Sequence, residues 1–554
     1  MLNPEARNIS TGPAASRSPR SAALQAVKLE PAPVAGVVGY GSRGTLLIAG
    51  PLERVRAAAE TLRHFPHCTA LLTGDAADAG WRPPQEEARL YRGTLEQVSG
   101  YLGHFEVTVR AGELVGNPRS IDKQRYFDLV IDLTGQPVLG AERRPPGYFA
   151  PADDAALATA LAEAAELIGE FEKPVYIRYA ADLCARGASG LTGCTRCAEV
   201  CPAWALTPGA ESIAIDTHLC QGIGPCATVC PSGAIGYAYP ERPQLLDAVA
   251  RALALYRDHG AEPPSVLFHA HGWAEAQPDD WLERLPEQVL PVAVEEVGAI
   301  GPEGWFAILA FGAREVLLFD DPDLSPTVRA VLDRELAWAT ALLDGLGAGG
   351  QRVARISALP TTGSEAAGAL PAARFATDQD KRTTLAMALD QLWQANGQTT
   401  APVPLPPGAP LGDLAFDHGA CTLCLACVSI CPLKALHDGG DTPKLAFVEQ
   451  NCVQCGLCVS ACPEDALALA PRYQPDPEQR RQQRVLKMEE PLRCIGCGKP
   501  FATPSVIALM TEKLKDHPMF QGNGLARLKM CEDCRVRAMF SDGEAPPGPG
   551  MRVN

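Results

Sequence analysis

The chain has 554 residues, 46% of them hydrophobic, with twenty cysteines and a formal net charge of −16. That length exceeds what one hydrophobic core organises and predicts several domains of ~150 residues each. The negative charge opposes a phosphate backbone, which argues against nucleic acid held by counterion release. No stretch reaches the ~20 uninterrupted apolar residues of a membrane span, since ALATALAEAAELIG is broken by Glu163 and Glu166. A protein partner and no integral membrane segment are the expectation.

In chain order, the Ser-, Arg- and Pro-rich residues 1–30 read as a disordered tail without a secretory signal. Residues 31–180 interleave strand-like TLLIAG, CTALLTG and FDLVIDLTG with helical LERVRAAAETLRHF and ALATALAEAAELIGEF, predicting an α/β layer domain. The first cysteine block lies in 181–242. A second α/β domain is predicted over 243–395, with helices LLDAVARALALYRDHG and PEGWFAILAFG, strands SVLFHA, VLPVAVEE and EVLLF, and a long helix after Pro326. Both domains read as parallel-sheet scaffolds. The Pro-rich 396–417 reads as an extended spacer, 418–472 holds the second cysteine block, 473–490 reads as a polar linker, and 491–545 forms a four-cysteine domain.

Disulfide scaffolds are typically short and secreted, whereas these cysteines come in tight C-x-x-C runs that converge on metal and imply a reducing cytoplasm. Four copies of C-P-x-x-A-[LI] (CPAWAL, CPSGAI, CPLKAL and CPEDAL) form an internal repeat. The expectation is that Pro turns the chain away and starts a short helix, Ala allows close approach, and Leu or Ile shields the metal centre.

In the second block the run C-x2-C-x2-C-x3-C-P is written twice, as Cys421, Cys424, Cys427 and Cys431, then Cys452, Cys455, Cys458 and Cys462. This closely resembles the bacterial two-cluster ferredoxins. The resemblance implies one [4Fe–4S] cluster on Cys421, Cys424, Cys427 and Cys462, and another on Cys452, Cys455, Cys458 and Cys431, the fourth cysteine of each run crossing over. Two zinc sites are the alternative, but zinc has no need of the triple spacing.

The first block departs from this pattern. Leu191 stands where a leading cysteine would fall before Cys194, Cys197 and Cys201, and Cys184 lies seven residues earlier. We read Cys184 as looping back to complete a [4Fe–4S] site with Cys194, Cys197 and Cys230; a free Cys184 packed as a small apolar residue is the alternative. Ile223 takes the second-cysteine position between Cys220 and Cys226, leaving Cys201, Cys220 and Cys226 for a [3Fe–4S] cluster, or for a labile or empty [4Fe–4S] site. At Cys220, Ile223, Cys226 and Cys230 the segment resembles the C-x2-I-x2-C-x3-C-P element of succinate dehydrogenase and fumarate reductase iron–sulfur subunits, where such a residue accompanies a trinuclear cluster.

Near the C-terminus, RCIGCGKPF and MCEDCRV supply Cys494, Cys497, Cys531 and Cys534. The knuckle resembles zinc-ribbon and rubredoxin-like sites, implying zinc first and a further Fe–S cluster second, with Gly498 relieving the turn. The fold class is therefore α/β and α+β multidomain: two ferredoxin-like two-cluster modules placed after and between α/β layer domains, and a zinc-ribbon-like segment.

Other signals read blandly. GYGSRG (Gly39, Gly41, Gly44) matches G-x-G-x-x-G but precedes a strand instead of joining strand to helix. His269 and His271 share a strand face and read as sheet-edge polar groups more than as metal ligands, Cys68 as an inert core thiol, and Glu295 and Glu296 as neighbours pointing to opposite faces. No catalytic constellation stands outside the cysteines.

The segments FDLVIDLT, PPGYFAP, IGEFEKP, TGCTRCAEVCP and CATVCPSGAI resemble a group of bacterial 4Fe–4S proteins that accompany molybdopterin formate dehydrogenases and their chaperones. The stretch VLPVAVEEVGAIGPEGWFAILAFGAREVLLF resembles the domain of hydrogenase and heterodisulfide-reductase delta subunits, without that domain's cysteines. The expected function is a cytoplasmic iron–sulfur protein passing single electrons between a redox enzyme and an acceptor, with formate dehydrogenase or a related molybdoenzyme as the implied partner. An oxidoreductase using an α/β domain for substrate or nucleotide, and an assembly factor for a redox enzyme, stay open as alternatives.

Overall fold

The computed structural model describes residues 18–29, 35–74, 81–83, 89–111, 114–116, 126–363, 368, 370–440 and 442–541. In the first α/β domain strand Thr45–Gly50 is central, flanked by His67–Leu72 and Leu129–Asp132, with Arg89–Arg92 and Tyr148–Phe149 at the edges; every pairing is parallel. TLLIAG is buried along its whole length because both faces of a parallel sheet are covered. On one face lies helix Asp154–Glu166, whose start is fixed by Asp153 accepting from Ala156 N–H at 2.8 Å. On the other lies a three-stranded antiparallel sheet, Thr94–Ser99, Glu106–Ala111 and Leu114–Gly116, which the sequence pattern did not predict.

The second α/β domain is a four-stranded parallel sheet in the order Val289–Val294, Ser265–Ala270, Glu315–Phe319, Val353–Ile356. Helix Pro302–Ala310 is apolar except at Glu303, which faces Lys381 at 3.5 Å, and is buried all round, enclosed by helices that include Arg242–Asp258 and Lys381–Ala395. The last of these is capped by Asp380, which accepts from Thr383 N–H at 3.0 Å. Among the described residues no helix is long and apolar enough to cross a membrane.

Three stretches expected between or outside domains are packed into the fold. Of the tail, residues 1–17 and 30 lie outside the described residues, but Pro19–Ala26 is a helix against Arg242–Asp258, with Arg20 donating to Leu285 O at 2.7 Å and Pro286 O at 3.0 Å. The Pro-rich spacer is extended yet not free. Leu405, Ala409 and Leu411 are buried in the core of the second α/β domain, and Val403–Pro404 and Gly412–Phe416 both pair with Leu467–Tyr473. Residues 473–490 likewise contain helix Pro477–Arg481 and strand Arg484–Met488, the latter paired with Lys444–Phe447. Composition signalled linkers here because Pro and charge are common in linkers; packing and pairing to both neighbours override it.

Arg480 is buried, donates to Tyr473 Oη and Gln474 O at 2.9 Å, and is ion-paired with Asp390, which also pairs with Arg481. Removing the carboxylate strands a buried cation. Asp390→Ala is expected to cost about 3 kcal/mol in denaturant unfolding and to make residues 473–490 the first site of limited proteolysis.

Candidate metal centres

The cysteine runs adopt one backbone path three times. In Cys421–Cys427 the residues before and after the middle cysteine, Leu423 and Leu425, have φ of 57° and 62°; in Cys452–Cys458, Gln454 and Gly456 have 52° and 82°; in Cys220–Cys226, Gly222 and Gly224 have 72° and 86°. Left-handed turns on both sides of the central position curl the run around a point. Ile223 therefore occupies a backbone built for a cysteine, and its side chain joins the apolar core of the second α/β domain. The first half of the first block differs. There a hairpin, Gly187–Ala188 paired with Leu191–Thr192 and turned by Ser189 and Gly190, carries the chain from Cys184 to Cys194.

A short helix precedes each fourth cysteine: Arg196–Glu199, Pro225–Val229, Ala426–Ser429 and Leu457–Ala461. The expectation that the repeat's Pro starts a helix is thus corrected. After each Pro comes a turn whose last residue has positive φ, at Trp204 (52°), Gly233 (78°), Lys434 (51°) and Asp465 (49°). That turn folds the next amides back onto the cysteine sulfur. Ala205, Ala435 and Ala466 donate N–H to Cys201, Cys431 and Cys462 Sγ at 3.3, 3.2 and 3.3 Å. In CPSGAI, Ser232 Oγ takes Ala234 N–H and Ile235 N–H reaches Cys230 Sγ at 3.4 Å. The repeat is therefore a device for aiming amides at a thiolate, and Leu206, Ile235, Leu436 and Leu467 behind it are all buried.

The second block encloses two cavities. One is lined by Cys421, Cys424, Cys427 and Cys462, the other by Cys431, Cys452, Cys455 and Cys458, so the fourth cysteine of each run faces the other run's cavity. In the first block Cys184, Cys194, Cys197 and Cys230 are close enough for their charges to act on one another. Cys226 is placed in the same way with Cys220 and Cys201. Successive groups are also near enough for charge to act between them: Cys197 on Cys226, Cys194 on Cys455, and Cys427 on Cys458. Gly193 lies against Leu457 where the two blocks meet; a Cβ at Gly193 would sit 2.7 Å from Leu457 Cγ.

Burial pushes the Cys197 and Cys427 thiols up to about 12 and Cys455 to about 11, with neighbouring thiols adding to the shift. Such groups ionise when a metal supplies the balancing charge. The donor set thus fits iron–sulfur clusters, soft thiolates in cages closed by apolar side chains.

The terminal four cysteines are different in scale. Cys494, Cys497, Cys531 and Cys534 have ligand atoms within 4.8 Å of one another, and Cys497 and Cys531 Sγ are 3.6 Å apart. Sulfurs around one tetrahedral zinc stand ~3.8 Å apart, so this spacing fits a single ion. Among the described residues no other group of three or more metal-ligating side chains is as tight. Amides from Cys531 at 3.2 Å and Gly496 at 3.4 Å donate to Cys494 Sγ and pull its thiol down to about 6. Gly498, at φ 76°, makes the turn expected of it.

The weaker candidates fall away from metal. His269 is buried, its ring centroid 5.6 Å from Trp273 and 5.2 Å from Trp281, and burial pulls its pKa down to about 4. His271 is exposed near Glu275. Cys68 is a core thiol, and Gly39 and Gly41 lie in strand Val37–Ser42, paired antiparallel with Gly169–Pro174.

The family described as the 4Fe-4S dicluster domain matches residues 420–467, a span holding all eight cysteines of the second block. No curated protein matches the chain. The chain thus carries a ferredoxin-type iron–sulfur domain, and that domain supports a role in electron transfer.

Beside the first block, Glu296 is largely buried, 3.7 Å from Arg143, and burial pushes its carboxyl from 4.5 up to about 7. Its raised pKa means the unfolded chain gives up this proton first, so stability held below pH 4.5 is lost as pH rises to about 7. Glu296→Gln is expected to flatten the fall of Tm across that window, read by thermal denaturation at several pH values.

Proposed function

We propose that the protein is a fixed electron relay in which four cysteine sets form one line. The order is Cys201, Cys220 and Cys226; then Cys184, Cys194, Cys197 and Cys230; then Cys431, Cys452, Cys455 and Cys458; then Cys421, Cys424, Cys427 and Cys462. The observation that carries this reading is the contact of Gly193 with Leu457, which sets Cys194 beside Cys455 and joins two blocks separated by a whole α/β domain in the sequence. Clusters bound in these sets each store a single electron. The chain's own contribution is spacing, exclusion of water by buried Leu and Ile, and amides that stabilise thiolate charge.

The two ends of the line differ. Cys226 is buried against the second α/β domain, whereas Cys424 is exposed. An exposed ligand cysteine suits exchange with a partner protein. From the family resemblance, that partner is a cytoplasmic formate dehydrogenase or related molybdoenzyme. We assign a trinuclear cluster to the three-cysteine set, where Ile223 cannot ligate, [4Fe–4S] clusters to the other three, and zinc to the terminal four cysteines.

Metal analysis and EPR test the assignments. Anaerobically purified protein should hold one zinc per chain, lost in Cys497→Ser with iron unchanged. Its air-oxidised form should give an isotropic [3Fe–4S] signal that Ile223→Cys abolishes. Full iron occupancy without that signal would sink the trinuclear assignment, and iron in place of zinc at the terminal site would overturn the zinc.

The relay itself is tested by stopped-flow reduction of the clusters by formate dehydrogenase plus formate, comparing wild type with Cys424→Ala and Cys455→Ala. Both variants should lose transfer to the acceptor. If they lose clusters while enzyme turnover to its acceptor is unchanged, the relay reading fails and the assembly-factor reading gains.

A further inference from the structure

Three of the cysteine runs share a contact that comes from outside the run. Lys173, in the strand Gly169–Pro174 of the first α/β domain, donates from Nζ to Cys220 O at 2.6 Å and His218 O at 2.7 Å. Arg382, in the helix Lys381–Ala395 of the second, donates from Nη2 to Cys452 O at 3.1 Å and Gln450 O at 2.5 Å. Lys487, in the strand Arg484–Met488, donates from Nζ to Cys421 O at 2.5 Å and His418 O at 3.0 Å. Each cation thus clasps the carbonyl of the leading cysteine and a carbonyl two or three residues before it. Each is also near enough for its charge to act on that cysteine's thiol.

The three cations sit in unrelated sequence contexts, so the recurrence is not inherited from the internal repeat. A neutral donor would satisfy two carbonyls as well, without the cost of withdrawing a charge from water. Lys173 and Arg382 have no carboxylate within ion-pair distance among the described residues; Lys487 has Glu489 at 3.1 Å. The remaining leading position, Cys184, is served differently. There the Tyr179 phenol is near enough to act on the thiol, and it accepts from Ile213 N–H at 3.0 Å.

We propose that Lys173, Arg382 and Lys487 are positioning residues that each raise the reduction potential of one centre, by holding its leading cysteine and placing a positive charge where the added electron arrives. The inference rests on the relay reading for the centres themselves. An electron added to a cluster makes it more negative by one charge, and a fixed cation alongside favours that state. Among the described residues no cation clasps the Cys184 carbonyl, while the charge of Arg196 acts on Cys194 of the same set, so that centre keeps a nearby cation without the clasp.

The test is a mediated redox titration of the full chain with dithionite as reductant, following each centre by EPR. Lys173→Gln, Lys487→Gln and Arg382→Gln should each lower the midpoint of one centre, those of Cys220, Cys421 and Cys452 respectively, and leave the other three in place. Lys173→Arg, Lys487→Arg and Arg382→Lys should restore it. Full iron content with unchanged midpoints overturns the proposal. Where a Gln variant loses its centre the Met variant is titrated, and loss in both makes the residue a scaffold only and also overturns it. Four reducible centres with unmoved potentials leave the relay standing. A wild-type chain without reducible centres overturns the relay instead.

Discussion

The constraint on which the second block depends is the crossing of its two cysteine runs, the fourth cysteine of each facing the cavity of the other. Three cysteines spaced by two residues curl around one point, but the fourth, displaced by a helical turn, faces the neighbouring cavity. Neither half can be completed alone. Everything nearby serves that crossing: the left-handed positions that curl the run, the short helix that projects the fourth cysteine, and the turn after Pro that returns an amide to its sulfur.

The first block shows how far this plan bends. Its second half keeps the curled backbone at Gly222 and Gly224 while giving up the central thiol, and Ile223 spends its side chain on the core of the adjoining α/β domain. Its first half replaces the curl with a hairpin and draws Cys184 in from the side. Thr228 Oγ1 donates to Gly298 O at 2.7 Å, so the helix before Cys230 is pinned to the loop after strand Val289–Val294. The missing cysteine and the interface are thus two faces of one substitution.

Much of this was legible in the sequence. Apolar runs such as TLLIAG and SVLFHA forecast two parallel sheets, whereas Cys184, off the regular spacing, was drawn toward Cys194 and Cys197 only because Leu191 holds the leading position. The features that escaped depend on contacts remote in the chain. No local pattern marks Lys173 or Arg382 as reaching a cysteine carbonyl 47 and 70 residues away. The prolines of 396–417 look the same whether a spacer is solvated or, as here, laid into a core. The left-handed turns left only a partial trace, since Gly marks Gly222, Gly224 and Gly456 but Leu and Gln fill the equivalent places elsewhere.

The buried spacer carries a kinetic consequence. With Leu405 and Leu411 held in one core and both flanking strands paired to Leu467–Tyr473, the second block has no swing of its own and cannot carry charge by travelling. Under the relay we propose, the molecule would work as a cable and not as a ferry, with internal hops set once at folding and throughput governed by how often another molecule collides productively with its open end. Flux through such a device scales with the concentration of its partner and is indifferent to solvent viscosity within the chain.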